Sequence, residues 1–194
     1  TEDLLPVDYY HVVFTLPDNL NQLSLCHPGI VYGLLFKASW QTIRMFALDP
    51  KYLGAMPGMV AVLHTWGQNL SLHPHLHCLV PAGGVSVRNK WINAKNKAKY
   101  LFPVKAMSIV FRAKYTAMLK STCQKQHISI EPDLFKHLYQ NNWVVYAKKP
   151  FKGVTSVLEY LGRYTHRIAI SNQRIKNIDD TNVSFYYKDY LDDN

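Results

Sequence analysis

At 194 residues, with 48% hydrophobic and 18% charged side chains, the chain suits one domain with an ordinary buried core, and composition excludes a disordered or fibrous protein. No apolar run approaches the ~18 residues of a spanning helix, and no charged-then-apolar leader is visible, so neither a membrane span nor a signal peptide is expected in these residues. A formal net charge of +9 favours a polyanionic partner over a polycationic one.

In chain order, His11–Leu16 is β-branched and aromatic and is closed by Pro17, Asp18 and Asn19, which predicts a first strand and a turn. After His27-Pro28-Gly29, residues 30–48 place Tyr32, Leu35, Phe36, Ser39, Ile43, Phe46 and Ala47 at helical spacing, up to Asp49-Pro50. Met59–Trp66 reads as a strand, Gly67–Pro74 as a loop and His75–Val80 as a second strand, which together make an antiparallel hairpin. Trp91–Lys99 is a basic excursion. A helix follows over 103–121, then a short one over Leu134–Asn141 and a strand at Trp143–Ala147. Thr155–Arg167 is predicted helical, with Ser156 and Glu159 in capping-box spacing, and Asn172–Asn182 is read as a polar loop. Strands interleaved with helices in this order predict an α+β domain over residues 1–194, with a central antiparallel sheet and flanking helices.

The three cysteines, Cys26, Cys78 and Cys123, form no CxxC and suggest neither a zinc knuckle nor a disulfide framework, so a reducing cytosol is expected. The chain does not begin with Met and stops beyond the Tyr-rich run Val183–Tyr187, and is expected to be a piece of a longer protein. No Asp or Glu occurs between Asp49 and Glu131, an interval carrying Arg88, Lys90, Lys95, Lys97, Lys99, Lys105 and further cations. Such a window suits nucleic acid, because phosphate neutralisation releases condensed counterions. A solvated basic face with no partner would have the same composition.

Two constellations carry chemistry. In His73-Pro74-His75-Leu76-His77-Cys78, residues two apart on a strand point to one face, so His75 and His77 present two imidazoles side by side while Leu76 turns into the core. Adjacent imidazoles suit one divalent metal, and the preceding strand or its end offers Gln68 or His64 as a third ligand. His73 has the same parity, but Pro74 is expected to interrupt the strand there.

The second constellation is Glu159–Arg167. On a helix Tyr160 and Tyr164 lie one turn apart on one face, and Arg163 and Arg167 form a second pair beside them. Paired tyrosines are commonly core aromatics, but a packed core disfavours two guanidinium groups next to it. Arginines beside phenols suit a phosphate under attack, with the tyrosyl oxygen as nucleophile and a metal polarising the phosphodiester.

With these motifs the sequence resembles the two-tyrosine HUH transposases of rolling-circle insertion sequences, relatives of Helitrons and of replication-initiator and relaxase nucleases. His11–Pro17 resembles the family's opening strand; His64–Gln68 through His73–Gly84 resembles its metal motif; Tyr160–Arg167 resembles its paired-tyrosine helix. The resemblance implies the HUH endonuclease (palm-like) fold and a single-stranded DNA endonuclease and strand transferase that uses Mg²⁺ or Mn²⁺ and forms a 5′-phosphotyrosine intermediate. Tyr160 and Tyr164 would be the nucleophiles. His75 and His77 would be ligands, with Gln68 the favoured third and His64 the fallback. Arg163 and Arg167 would hold phosphate oxygens, and Arg88, Lys90, Lys95, Lys97 and Lys99 with Trp91 and Tyr100 would contact DNA.

Single-stranded DNA at transposon ends and targets would be the partner, with no membrane, in a prokaryotic cytoplasm at the nucleoid; the oligomeric state, a monomer included, is left open. The family's upstream zinc-binding and C-terminal regions are expected to lie outside this stretch. A relaxase-like or initiator nickase, a zinc hydrolase and a non-catalytic basic nucleic-acid module are the competing readings. A zinc hydrolase would need a carboxylate from outside residues 50–130, and a binding module would need neither HxH nor paired tyrosines.

Overall fold

The computed structural model describes residues 5–94, 101–148, 156, 162 and 170–187. Its first half runs β1 (Tyr9–Thr15), α1 (Asn21–Cys26), α2 (Pro28–Leu48), β2 (Met56–Pro57), β3 (Val60–Trp66), β4 (Leu72–Pro81), β5 (Gly83–Val85) and β6 (Trp91–Asn93). It continues through α3 (Val104–Lys125), α4 (Leu134–Gln140), β7 (Val145–Ala147), β8 (Ile175–Ile178) and β9 (Val183–Phe185). The main sheet has the order β3-β4-β1-β7, with every pairing antiparallel. The fold is α+β with an antiparallel sheet and helices, as the sequence predicts.

Strand parity divides this sheet into an apolar face and a polar one. Val12 and Phe14 of β1 pair with Cys78 and Leu76 of β4 and with Ala147 and Val145 of β7, and all six are buried in one core. α2 and α3 cover that face. α2 begins with Pro28, whose absent N–H would be an orphan at that position anyway, and it buries Val31, Leu34, Leu35, Ala38, Ser39, Thr42, Ile43, Phe46 and Ala47. Phe36, counted among the apolar positions of this helix, turns outward. α3 buries Met107, Phe111, Tyr115, Leu119 and Cys123, a four-residue repeat that keeps one stripe inward.

The two layers are joined by aromatic contacts. The Phe111 ring lies 4.9 Å from Phe14, 5.3 Å from Trp143 and 6.2 Å from Tyr115, and the Tyr115 hydroxyl donates to the Val31 carbonyl at 3.2 Å. Phe111 is wholly buried. Replacing it with Ala is expected to cost about 3–5 kcal/mol of folding free energy, lost transfer and cavity terms together, measurable by urea denaturation.

Three local readings are corrected by the fold. β4 begins at Leu72 and passes through Pro74, where a strand break was expected. Proline is tolerated there because its carbonyl, which accepts from Leu16 at 3.0 Å, and its N–H-less nitrogen face the same side, opposite Leu16 just past the end of β1 at Thr15, where the ladder has run out. The Trp91–Lys99 excursion opens with β6, which pairs with β5 in a small sheet ordered β2-β5-β6. A Cβ on Gly83 would meet the Trp91 ring at 2.5 Å, so only glycine lets that indole lie across β5. The predicted polar loop Asn172–Asn182 contains β8, which pairs with β9. No helix among the described residues is long and apolar enough to cross a membrane.

Candidate metal centre

The polar face of the main sheet carries the histidines. His64 of β3 stands opposite His75 of β4, so strand pairing sets their side chains on one face. His77 lies two residues further along β4 and shares that face. The three imidazoles offer ligand atoms that all lie within 4.8 Å of one another. Their ring centroids are 4.7 Å apart for His64–His77, 4.8 Å for His75–His77 and 5.4 Å for His64–His75. Trp66 stacks on His64 at 5.7 Å and 7°, bracing that ring on the less covered strand.

The donor chemistry fits a divalent cation. His75 Nδ1 lies 2.6 Å from the His73 carbonyl, which can only accept, so the ring proton sits on Nδ1 and Nε2 keeps its lone pair for a metal cation. Burial lowers the His75 pKa to about 4, helped by the nearby His73 and His64 rings and opposed by the hydrogen bond to His73. Burial also lowers His77, further assisted by His75, His11 and His64. His11 is lowered to about 4 by burial and then by Lys148 and His75. Neutral imidazoles are the form that binds metal.

The unfolded chain takes up protons on these rings as pH falls below ~6.5, whereas the folded chain resists until about 4. Stability of the metal-free protein is therefore expected to be full well above pH 6.5 and to fall between pH 6.5 and 4 by on the order of 3 kcal/mol for each of His11 and His75. Urea midpoints across this range check it, and His75→Asn should flatten the slope.

Not every candidate residue lies on this face. Gln68 sits in the turn after β3 rather than on the strand, and its carbonyl accepts from the Arg174 guanidinium. The fold thus gathers His64, His75 and His77, the fallback ligand with the two favoured ones. Arg88 and Lys90 are exposed on the β5–β6 turn, where the Ser86 N–H donates to the Lys90 carbonyl at 2.9 Å and Asn89 takes the left-handed conformation it tolerates. Trp91 is partly packed, with its indole N–H donating to Asn93 at 2.8 Å. Tyr160, Tyr164, Arg163, Arg167, Lys95, Lys97, Lys99 and Tyr100 lie outside the described residues. Sequence reasoning assigns His11 to the opening strand and gives it no role, yet its Nε2 lies 2.9 Å from His77 Nδ1. A histidine in an otherwise apolar strand was the available signal.

An α+β domain whose sheet presents three clustered imidazoles is a candidate metalloprotein, and comparison with known proteins supplies the family. The model of the family described as "Putative transposase" matches residues 58–194. The chain belongs to this transposase family. It is 44% identical to "Putative transposase y4qJ" of Sinorhizobium fredii over 97% of this chain and 50% of that protein. It is 27% identical to the "Transposase for insertion sequence element IS801" of Pseudomonas savastanoi pv. phaseolicola, covering 95% of this chain and 45% of that one. The chain spans about half the length of these curated relatives. Among solved structures, the conjugative relaxase TrwC in complex with mutant OriT DNA aligns with 58% of this chain and 44% of its own, at 12% identity and a TM-score of 0.36.

Proposed function

We propose that this chain is the nuclease part of a rolling-circle transposase, a metal-dependent single-stranded DNA endonuclease and strand transferase of the HUH type with Tyr160 and Tyr164 as nucleophiles. The observation that carries this reading is the His64, His75 and His77 cluster on one sheet face of a chain in a transposase family. Three imidazoles favour manganese over magnesium, which prefers oxygen ligands. A bound divalent cation supplies Lewis-acid polarisation of a phosphodiester oxygen.

The protein's own residues do the rest. His64, His75 and His77 hold the cation on a rigid sheet. The strands β1, β3, β4 and β7 contain no Asp or Glu, so nothing on them neutralises the cation and its charge is left for an anionic ligand. Arg163 and Arg167 bind the non-bridging oxygens of the phosphate. One tyrosyl oxygen attacks phosphorus, gives up its proton and forms a 5′-phosphotyrosine bond; the 3′ oxygen leaves and takes a proton to become a hydroxyl. The ester bond energy is kept in the phosphotyrosine, so a second strand transfer can follow. Arg88, Lys90, Lys95, Lys97 and Lys99 contribute backbone charge contacts, and Trp91 and Tyr100 offer rings for bases to stack on.

Incubation of the chain with labelled single-stranded DNA and Mn²⁺, followed by denaturing electrophoresis, tests the reading. A covalent adduct is expected. Cleavage without an adduct would point instead to a metal-dependent hydrolase, and binding without cleavage to a non-catalytic module.

A further inference from the structure

His11 is 97% buried, leaving 3% of its surface exposed, and lies on β1, 66 residues from His77 in sequence. Val13 pairs with His77, and His11, two residues earlier, shares that face. Its Nε2 stands 2.9 Å from His77 Nδ1, with the two rings within 12° of parallel and 5.2 Å apart. A nitrogen engaged at that distance by another ring nitrogen has no room for a cation, so His77 can ligate only through Nε2.

The two nitrogens share one proton, and its position decides whether His77 is a ligand. If His11 donated from Nε2, neutral His77 would carry its own proton on Nε2 and its ligating lone pair would be lost. If His77 donates from Nδ1, its Nε2 lone pair is free for metal. We propose that His11 is a positioning residue that accepts the Nδ1–H of His77 and thereby holds His77 in its metal-binding tautomer. It does for His77 what the His73 carbonyl does for His75. The inference rests on the metal-centre reading of His64, His75 and His77.

The test compares wild type with His11→Phe, which keeps a ring but no acceptor, and His11→Gln, whose side-chain carbonyl can still accept. Nitrogen-15 spectra of the metal-free wild type at pH 7.5 should show His77 protonated on Nδ1. In His11→Phe that tautomer should give way to the Nε2-protonated form. Mn²⁺ titration by calorimetry should show affinity about 10–100-fold weaker in His11→Phe and within a few-fold of wild type in His11→Gln. Urea unfolding of each metal-free variant separates lost structure from lost ligation.

A wild-type His77 protonated on Nε2 overturns the proposal, whatever the variants do. So does a His11→Phe variant that binds Mn²⁺ as tightly as wild type. Equal Mn²⁺ binding by wild type and His77→Ala would instead remove the metal centre itself, and the proposal with it.

Discussion

His75→Ala and His77→Ala are each expected to abolish DNA cleavage and adduct formation while largely sparing single-stranded DNA binding. Each removes one of three imidazoles whose ligand atoms lie within 4.8 Å of one another, and nothing on the four sheet strands offers a carboxylate in replacement. Loss of an orienting partner typically weakens a metal site about 10–100-fold. Loss of a ligand should exceed about 100-fold in Mn²⁺ affinity on that scale. Calorimetric Mn²⁺ titration, denaturing gels for the adduct and fluorescence anisotropy for DNA binding separate the three quantities. The same assays choose the third ligand. His64→Ala should join the severe class, and Gln68→Ala should stay close to wild type, since Gln68 lies in the turn beyond β3 while His64 faces His75. Full cleavage by His75→Ala or His77→Ala would remove the metal centre from the mechanism.

The Tyr160→Phe, Tyr164→Phe double variant should form no covalent DNA adduct, because Phe lacks the oxygen that would carry the phosphate. Metal affinity should be unchanged, which distinguishes loss of the nucleophile from loss of the site. Each single variant should keep one nucleophile and therefore still form an adduct, with strand transfer to a second DNA impaired. An adduct in the double variant would place the nucleophile elsewhere. Tyr146 is then the first candidate, since it pairs with Val13, which also pairs with His77, and so projects from the histidine face with 49% of its surface exposed. Peptide mapping of the adduct reads this directly.

Much of the fold is local and therefore legible in the sequence. The i, i+4 repeat of Met107, Phe111, Tyr115 and Leu119 defines α3 before any tertiary contact is known, and the β-branched run of Val60, Val62 and their neighbours defines β3. The pairing of His75 with His77 is legible for the same reason, because a strand's period of two puts them on one face whatever the strand pairs with. The family resemblance adds the chemistry those residues suit.

Other features depend on register. Which residue of β3 meets His75 depends on the alignment of two strands, and a one-residue slip would turn His64 to the helix-covered face. Nothing within His64–Gln68 encodes that alignment; the core packing of Leu63 opposite Leu76 and Ala61 opposite Cys78 does. Pro74 reads locally as a strand breaker, and only its place opposite Leu16, one residue past the end of β1, makes it acceptable inside β4. β5, β6, β8 and β9 are three or four residues long, too short for a periodic signal, and exist because a partner strand satisfies their backbone groups. His11 and His77 meet across 66 residues through β1–β4 pairing. The residue types and spacings thus determined the candidate ligands and the chemistry they suit, while strand register, fixed by which apolar side chains share the core, decided which imidazoles face one another.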